Sequence, residues 1–116
     1  MIDASGCTTA GLAELSRIQS ICDRVVADLS LTVVGQPMFH VFPGPGGVTA
    51  LYLLSESHLA CHTYPEDAFA TFNLYCCRRR PSWHWREELM RSLGAEHVVV
   101  REIHREMRRP PKEPLR

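Results

Sequence analysis

A chain of 116 residues has room for one hydrophobic core and not for two, because a smaller domain buries a smaller share of its surface. Apolar residues at 45% and charged residues at 22% place it among folded globular proteins and exclude a disordered one. Thirteen basic side chains balance thirteen acidic ones, so no net field draws the chain to nucleic acid or to a membrane surface.

In chain order, Leu12, Leu15, Ile18, Cys22, Val25, Val26 and Leu29 recur at spacings of three and four, which predicts an amphipathic helix over 12–29, capped by Thr8 or Thr9. Residues 31–42 follow as a strand, β-branched at Thr32, Val33 and Val34 and alternating at Met38, His40 and Phe42, with Pro37 marking an edge or a bulge. Pro43-Gly44-Pro45-Gly46-Gly47 cannot hold regular structure and predicts a turn between strands that also suits a substrate rim. Residues 48–54 are an apolar run of strand length and residues 57–64 alternate again. Pro65-Glu66-Asp67 then turns the chain into a strand over 68–77. A second helix opens after Pro81 with Ser82 as its cap, carries Trp85, Leu89 and Leu93 on one face and stops at Gly94; residues 98–103 form its partner strand.

This order predicts an α+β fold, a two-layer sandwich with a mainly antiparallel sheet and helices on one face. A single domain over 1–116 is expected, with 105–116 as a flexible tail. The other face of the sheet needs a cover, and a second copy of the chain is the simplest one. No apolar run reaches the roughly 18 residues of a membrane helix, and the first residues lack the order of a signal peptide, so a cytoplasmic protein is expected. Cys7, Cys22, Cys61, Cys76 and Cys77 are odd in number and irregular in spacing, hence thiols, mostly buried, rather than a disulfide framework. Arg78, Arg79 and Arg80 read either as a solvated turn or as a site for an anion or carboxylate.

Reactive side chains concentrate in Ser55-Glu56-Ser57-His58-Leu59-Ala60-Cys61-His62-Thr63-Tyr64-Pro65-Glu66. A zinc site could draw on His58, Cys61 and His62 with Cys76 or Cys77, but strand alternation sends Cys61 to the face opposite the two histidines, so no metal is expected. A Ser/His or Cys/His hydrolase lacks a nucleophile elbow and a third member.

The run Leu54-Ser55-Glu56-Ser57-His58-Leu59, then two residues, then His62-Thr63-Tyr64-Pro65-Glu66 resembles the processing-site motif of the short prokaryotic S-adenosylmethionine decarboxylases, which are self-processing pyruvoyl enzymes. Asn73-Leu74-Tyr75-Cys76-Cys77 is similar to that family's strand ending in a catalytic cysteine, and His40-Val41-Phe42 with Gly47-Val48-Thr49 extends the resemblance over nearly the whole chain.

The resemblance implies that the Ser57 hydroxyl attacks the Glu56 carbonyl and that the resulting ester eliminates. Residue 57 is then left as a covalent pyruvoyl cofactor, whose ketone forms a Schiff base with a substrate amine. It implies His62 and Thr49 as residues assisting the processing step, Cys77 as the proton donor after carbon dioxide leaves, Phe42 and Tyr64 against the substrate's adenine, and Glu66 on its ribose hydroxyls. His58 is expected only to support the turn. The implied product, decarboxylated S-adenosylmethionine, serves polyamine (spermidine) biosynthesis, and the implied assembly is a homodimer of processed protomers.

The chain departs from the family pattern at Asn73, where aspartate is usual, at the triple arginine, and in a first strand reduced to Ile2-Asp3-Ala4. A pyruvoyl-dependent arginine or ornithine decarboxylase is therefore the main rival. A non-catalytic activating subunit and a binding module that merely shares the fold are further alternatives.

Overall fold

The computed structural model describes residues 1–44, 46–77 and 79–106. Its frame is a six-stranded sheet in the order β2-β3-β4-β5-β1-β6, every neighbouring pair antiparallel. The strands are β1 (Ile2–Ser5), β2 (Met38–Val41), β3 (Val48–Leu54), β4 (Ser57–Tyr64), β5 (Phe69–Cys76) and β6 (His97–Val100). Three α-helices, α1 (Thr9–Ala13), α2 (Leu15–Asp28) and α3 (Trp85–Leu93), and a short 3₁₀ helix (Pro65–Asp67) complete the described elements. The expected α+β sandwich is the fold observed.

Strand alternation sorts the sheet into two unlike faces. Val48, Ala50, Tyr52 and Leu54 of β3, Leu59 and Cys61 of β4, and Ala70 and Phe72 of β5 join Leu12, Ile18, Ile21, Cys22, Val25, Leu89 and Leu93 of the helices in one buried cluster. The intervening residues Leu51, Leu53, Tyr64, Tyr75 and Val99 point the other way and are exposed. Helices therefore cover one face, while the opposite face presents apolar side chains.

Several boundaries differ from the sequence reading, each for a physical reason. The helix expected over 12–29 is two helices joined at Glu14, whose backbone is extended (φ −94°, ψ 105°). The buried Thr63 hydroxyl donates to the Leu12 carbonyl at 2.7 Å, giving that acceptor a partner outside the helix. Thr8 caps α1 by accepting from the Gly11 N–H.

Of the strand expected over 31–42 only β2 is regular. Gly35 takes φ +72°, Pro37 has no N–H to offer, and Val33 makes an isolated bridge to Leu54. The second helix starts at Trp85 rather than Ser82, and no side chain caps it. Trp83 and Trp85 are both buried, their rings 4.8 Å apart, and residues two apart lie on different sides of a helix, so α3 begins only after Trp83 has turned inward. Its end at Gly94, with φ +65°, is as expected. The last strand stops at Val100, matched residue for residue to β1. Three cysteines are buried, Cys76 is half-buried and Cys77 exposed. Most of the tail expected over 105–116, together with Pro45 and Arg78, lies outside the described residues. No helix among the described residues is long and apolar enough to cross a membrane.

Candidate active site

The β3–β4 hairpin closes on Leu54 paired with Ser57, leaving Ser55 and Glu56 as its turn. Ser55 is tied down by its N–H donating to the Thr32 carbonyl at 2.9 Å. Ser57 also pairs with Cys76, the last residue of β5, so the chain beyond β5 passes beside the turn. The Cys77 thiol consequently rests 2.5 Å from the Glu56 carbonyl oxygen, and Arg80 Nη2 lies 2.7 Å from Glu56 Oε2. The Ser57 hydroxyl is buried and without a hydrogen-bond partner among the described residues. It lines a small cavity with Leu31, Thr32, Glu56, Cys76 and Arg80. Burial pushes the Cys76 thiol up, partly opposed by the Arg80 charge, which keeps that neighbour protonated. A hydroxyl with no other engagement thus stands beside a carbonyl that a thiol contacts.

The remaining candidate residues gather at the other end of the sheet. Thr49 is paired with His62, and Thr49 Oγ1 lies 3.2 Å from His62 Nδ1 on the uncovered face. The same register continues to His40 on β2 and Thr71 on β5, a row of polar side chains across four strands. Tyr64 ends β4 stacked near Phe69, ring centroids 6.1 Å apart, and Glu66 is exposed in the short 3₁₀ helix Pro65–Asp67. Phe42 lies just past β2 with its ring edge-on to His40; it is 48% exposed and so not a core aromatic.

Within one chain the two groups do not meet. His62 is five residues from Ser57 along β4, about 16 Å at the rise of a strand, and an odd offset turns the two side chains to opposite faces. The residues weighed for zinc are likewise divided. Cys61 is buried with Cys22 on the helix side, and no three His, Cys, Asp or Glu side chains converge among the described residues.

Sequence reading did not foresee the ion pair of Arg80 with Glu56, although a site for an anion or carboxylate was one of its two readings of the triple arginine, beside a solvated turn. It also missed the column at the hairpin end in which His58 stacks on Tyr75 (5.6 Å) and Arg105 lies 5.7 Å from the Tyr75 ring. The pairing of His58 with Tyr75 follows from strand register, and no local signal reports it.

The family described as S-adenosylmethionine decarboxylase matches residues 1–106. The chain belongs to the S-adenosylmethionine decarboxylase family. Two relatives in this family are named S-adenosylmethionine decarboxylase proenzyme. That of Moorella thermoacetica is 28% identical over 113 residues, 97% of this chain and 89% of that protein. That of Carboxydothermus hydrogenoformans is 30% identical over 101 residues, 86% of this chain and 78% of that one. The crystal structure of the adenosylmethionine decarboxylase from Aquifex aeolicus superposes with a TM-score of 0.68 at 24% identity, over 90% of this chain and 92% of that one, a likeness of fold. Membership of the S-adenosylmethionine decarboxylase family makes the chain a carboxy-lyase by kinship. Neither the arginine or ornithine rivals nor a non-catalytic subunit gain support from these relatives.

Proposed function

We propose that this chain is a self-processing decarboxylase of S-adenosylmethionine, cut between Glu56 and Ser57 and carrying a pyruvoyl group made from Ser57. The observation that carries this reading is the buried, unpartnered Ser57 hydroxyl beside a peptide carbonyl contacted by the Cys77 thiol. A donor on the Glu56 oxygen draws electron density from its carbon, and a hydroxyl held by nothing else is able to attack there.

A pyruvoyl group at residue 57 fits this end of the sheet, where Glu56, Arg80 and the Cys77 thiol supply polar neighbours to a keto group. When formed, it supplies an electron sink for loss of carbon dioxide from an α-amino acid. Cys77 is assigned the return of a proton to the substrate's α-carbon, since its thiol stands at the peptide unit next to residue 57. His62, hydrogen-bonded to Thr49, is assigned proton transfer during processing. Phe42 and Tyr64 offer ring faces to adenine, and Glu66 a carboxylate to ribose hydroxyls.

These roles require a second copy of the chain. With about 16 Å of strand between Ser57 and His62, one chain cannot unite them. A two-fold axis that stacks the uncovered faces of two sheets in opposite directions sets the Glu56–Ser57 peptide at the hairpin end of each near the Thr49 and His62 end of the other, with the Ser57 side chain itself starting on the helix side. It also buries Leu51, Leu53 and Tyr75. The assembly is read as a cytoplasmic homodimer whose small-molecule product feeds polyamine (spermidine) synthesis.

Two measurements on the purified protein test the reading. Intact mass should show fragments 1–56 and 57–116, with Ser57→Ala left whole. Carboxyl-labelled S-adenosylmethionine should release labelled carbon dioxide while arginine and ornithine do not. An uncut wild-type chain, or release from an amino acid alone, would overturn it.

A further inference from the structure

Arg80 is at hand where the proposed scission leaves a new negative charge. Its Nη2 holds the Glu56 side chain at 2.7 Å, and both side chains are about three-quarters buried, at 26% and 27% exposure. Its Nε–H is buried and has no acceptor among the described residues, the Ser57 hydroxyl is likewise buried without a partner there, and the two residues line the same cavity. A guanidinium presents donors in a fixed fork that matches a carboxylate, so a buried, unused Nε–H next to an occupied Nη is half of an empty anion seat. Leaving such a donor unmet costs stability in a merely structural ion pair.

Resting on the self-processing reading above, the chemistry supplies the missing acceptor. When Ser57 Oγ bonds to the Glu56 carbonyl carbon, the C–N bond breaks and the nitrogen of residue 57 takes up a proton, giving an ester with a free amine. Elimination then removes the α-hydrogen of residue 57 to a base and breaks its Cβ–Oγ bond. The electron pair departs with the oxygen as the main-chain carboxylate of Glu56. Water later hydrolyses the unsaturated amine, releasing ammonia and leaving the keto group.

We propose that Arg80 is the anion-binding residue of this elimination, its free Nε–H receiving the Glu56 main-chain carboxylate as that group leaves. Its role in maturation is direct contact with the leaving carboxylate.

The test follows maturation of freshly made chain by intact mass, with and without hydroxylamine, which cleaves an ester but not an amide. Arg80→Gln should slow appearance of the pyruvoyl-ended 57–116 fragment at least tenfold and accumulate ester. Hydroxylamine then yields a 57–116 fragment that begins with serine and is heavier by one ammonia. Arg80→Lys, which keeps the charge but loses the fork, should also accumulate ester, and provides the measurement should the glutamine variant fold poorly. Melting of both substitutions on a Ser57→Ala background reports any loss of fold separately.

Cleavage of the variants at the wild-type rate, or slowing with no ester trapped, overturns the role of Arg80 while the self-processing reading stands. A wild-type chain that is never cut overturns that reading itself.

Discussion

Thr63 is the clearest case of one side chain holding several elements. Its hydroxyl donates to the Leu12 carbonyl at 2.7 Å and accepts from the Val48 N–H at 2.8 Å, so α1, β3 and β4 meet on one buried oxygen. Thr63→Val keeps the shape and strands both backbone groups, each at a cost of about 1–3 kcal/mol. Urea unfolding on an uncleavable Ser57→Ala background should show that loss, and an unchanged midpoint would contradict the account. The thiols divide by burial in the same way. Burial pushes the Cys7 thiol up to about 11 and the Cys61 thiol well above its ordinary value, whereas Cys77 is exposed. At pH 8 a thiol-specific reagent should label Cys77 first and reach Cys7, Cys22 and Cys61 only on unfolding. Equal labelling rates in the native protein would mean that the helix layer does not seal the core as described.

Among elements, α3 is held to α2 by charge as well as by packing. Glu88 is flanked by Arg91, Arg24 (3.1 Å) and His84 (3.6 Å). Burial raises the Glu88 carboxyl, but Arg91 and Arg24 outweigh it, and the net direction is down from 4.5. A folded value below the unfolded one means that the stabilisation is complete above about pH 4.5 and is lost as pH falls further. Glu88→Gln should therefore lower melting at neutral pH and flatten the acid limb of the stability curve. If the acid limb is as steep in the variant as in the parent, another carboxylate is responsible. The β3–β4 hairpin works at the same scale. Its register sets Thr49 against His62 and Leu54 against Ser57, so one pairing builds both halves of the candidate site.

For the whole molecule, the decisive geometry is the distance between those halves. If each site takes Ser57 and Cys77 from one protomer and His62 and Thr49 from its partner, Ser57→Ala and His62→Ala chains should complement each other. Co-expressed, they should form mixed dimers in which only the His62→Ala chain is cut, which intact mass resolves. Two variants as inert together as apart would confine the site to one protomer and remove the argument for a shared one. The apolar outer residues Leu51, Leu53, Tyr75 and Val99 are the surface such a dimer would cover.

Much of this was legible in the residues. Residues 48–54 and 57–64 alternate or run apolar between turn formers, and both strands stand where that pattern puts them. Gly94 ends α3 because it alone there adopts a left-handed backbone without cost, and the run from Ser55 to Glu66 pointed to the family. These signals are local: they depend on torsion preferences and on residues a few positions apart.

What sequence could not decide depends on residues distant in the chain. The break at Glu14 follows from Thr63, the late start of α3 from burying Trp83 against Asp28, and the Arg80 pair from a strand end that returns to the hairpin. The separation of Ser57 from His62 is of the same kind. Five positions look close in a sequence, but an extended strand turns them into about 16 Å and two faces, and only the folded sheet makes that physical.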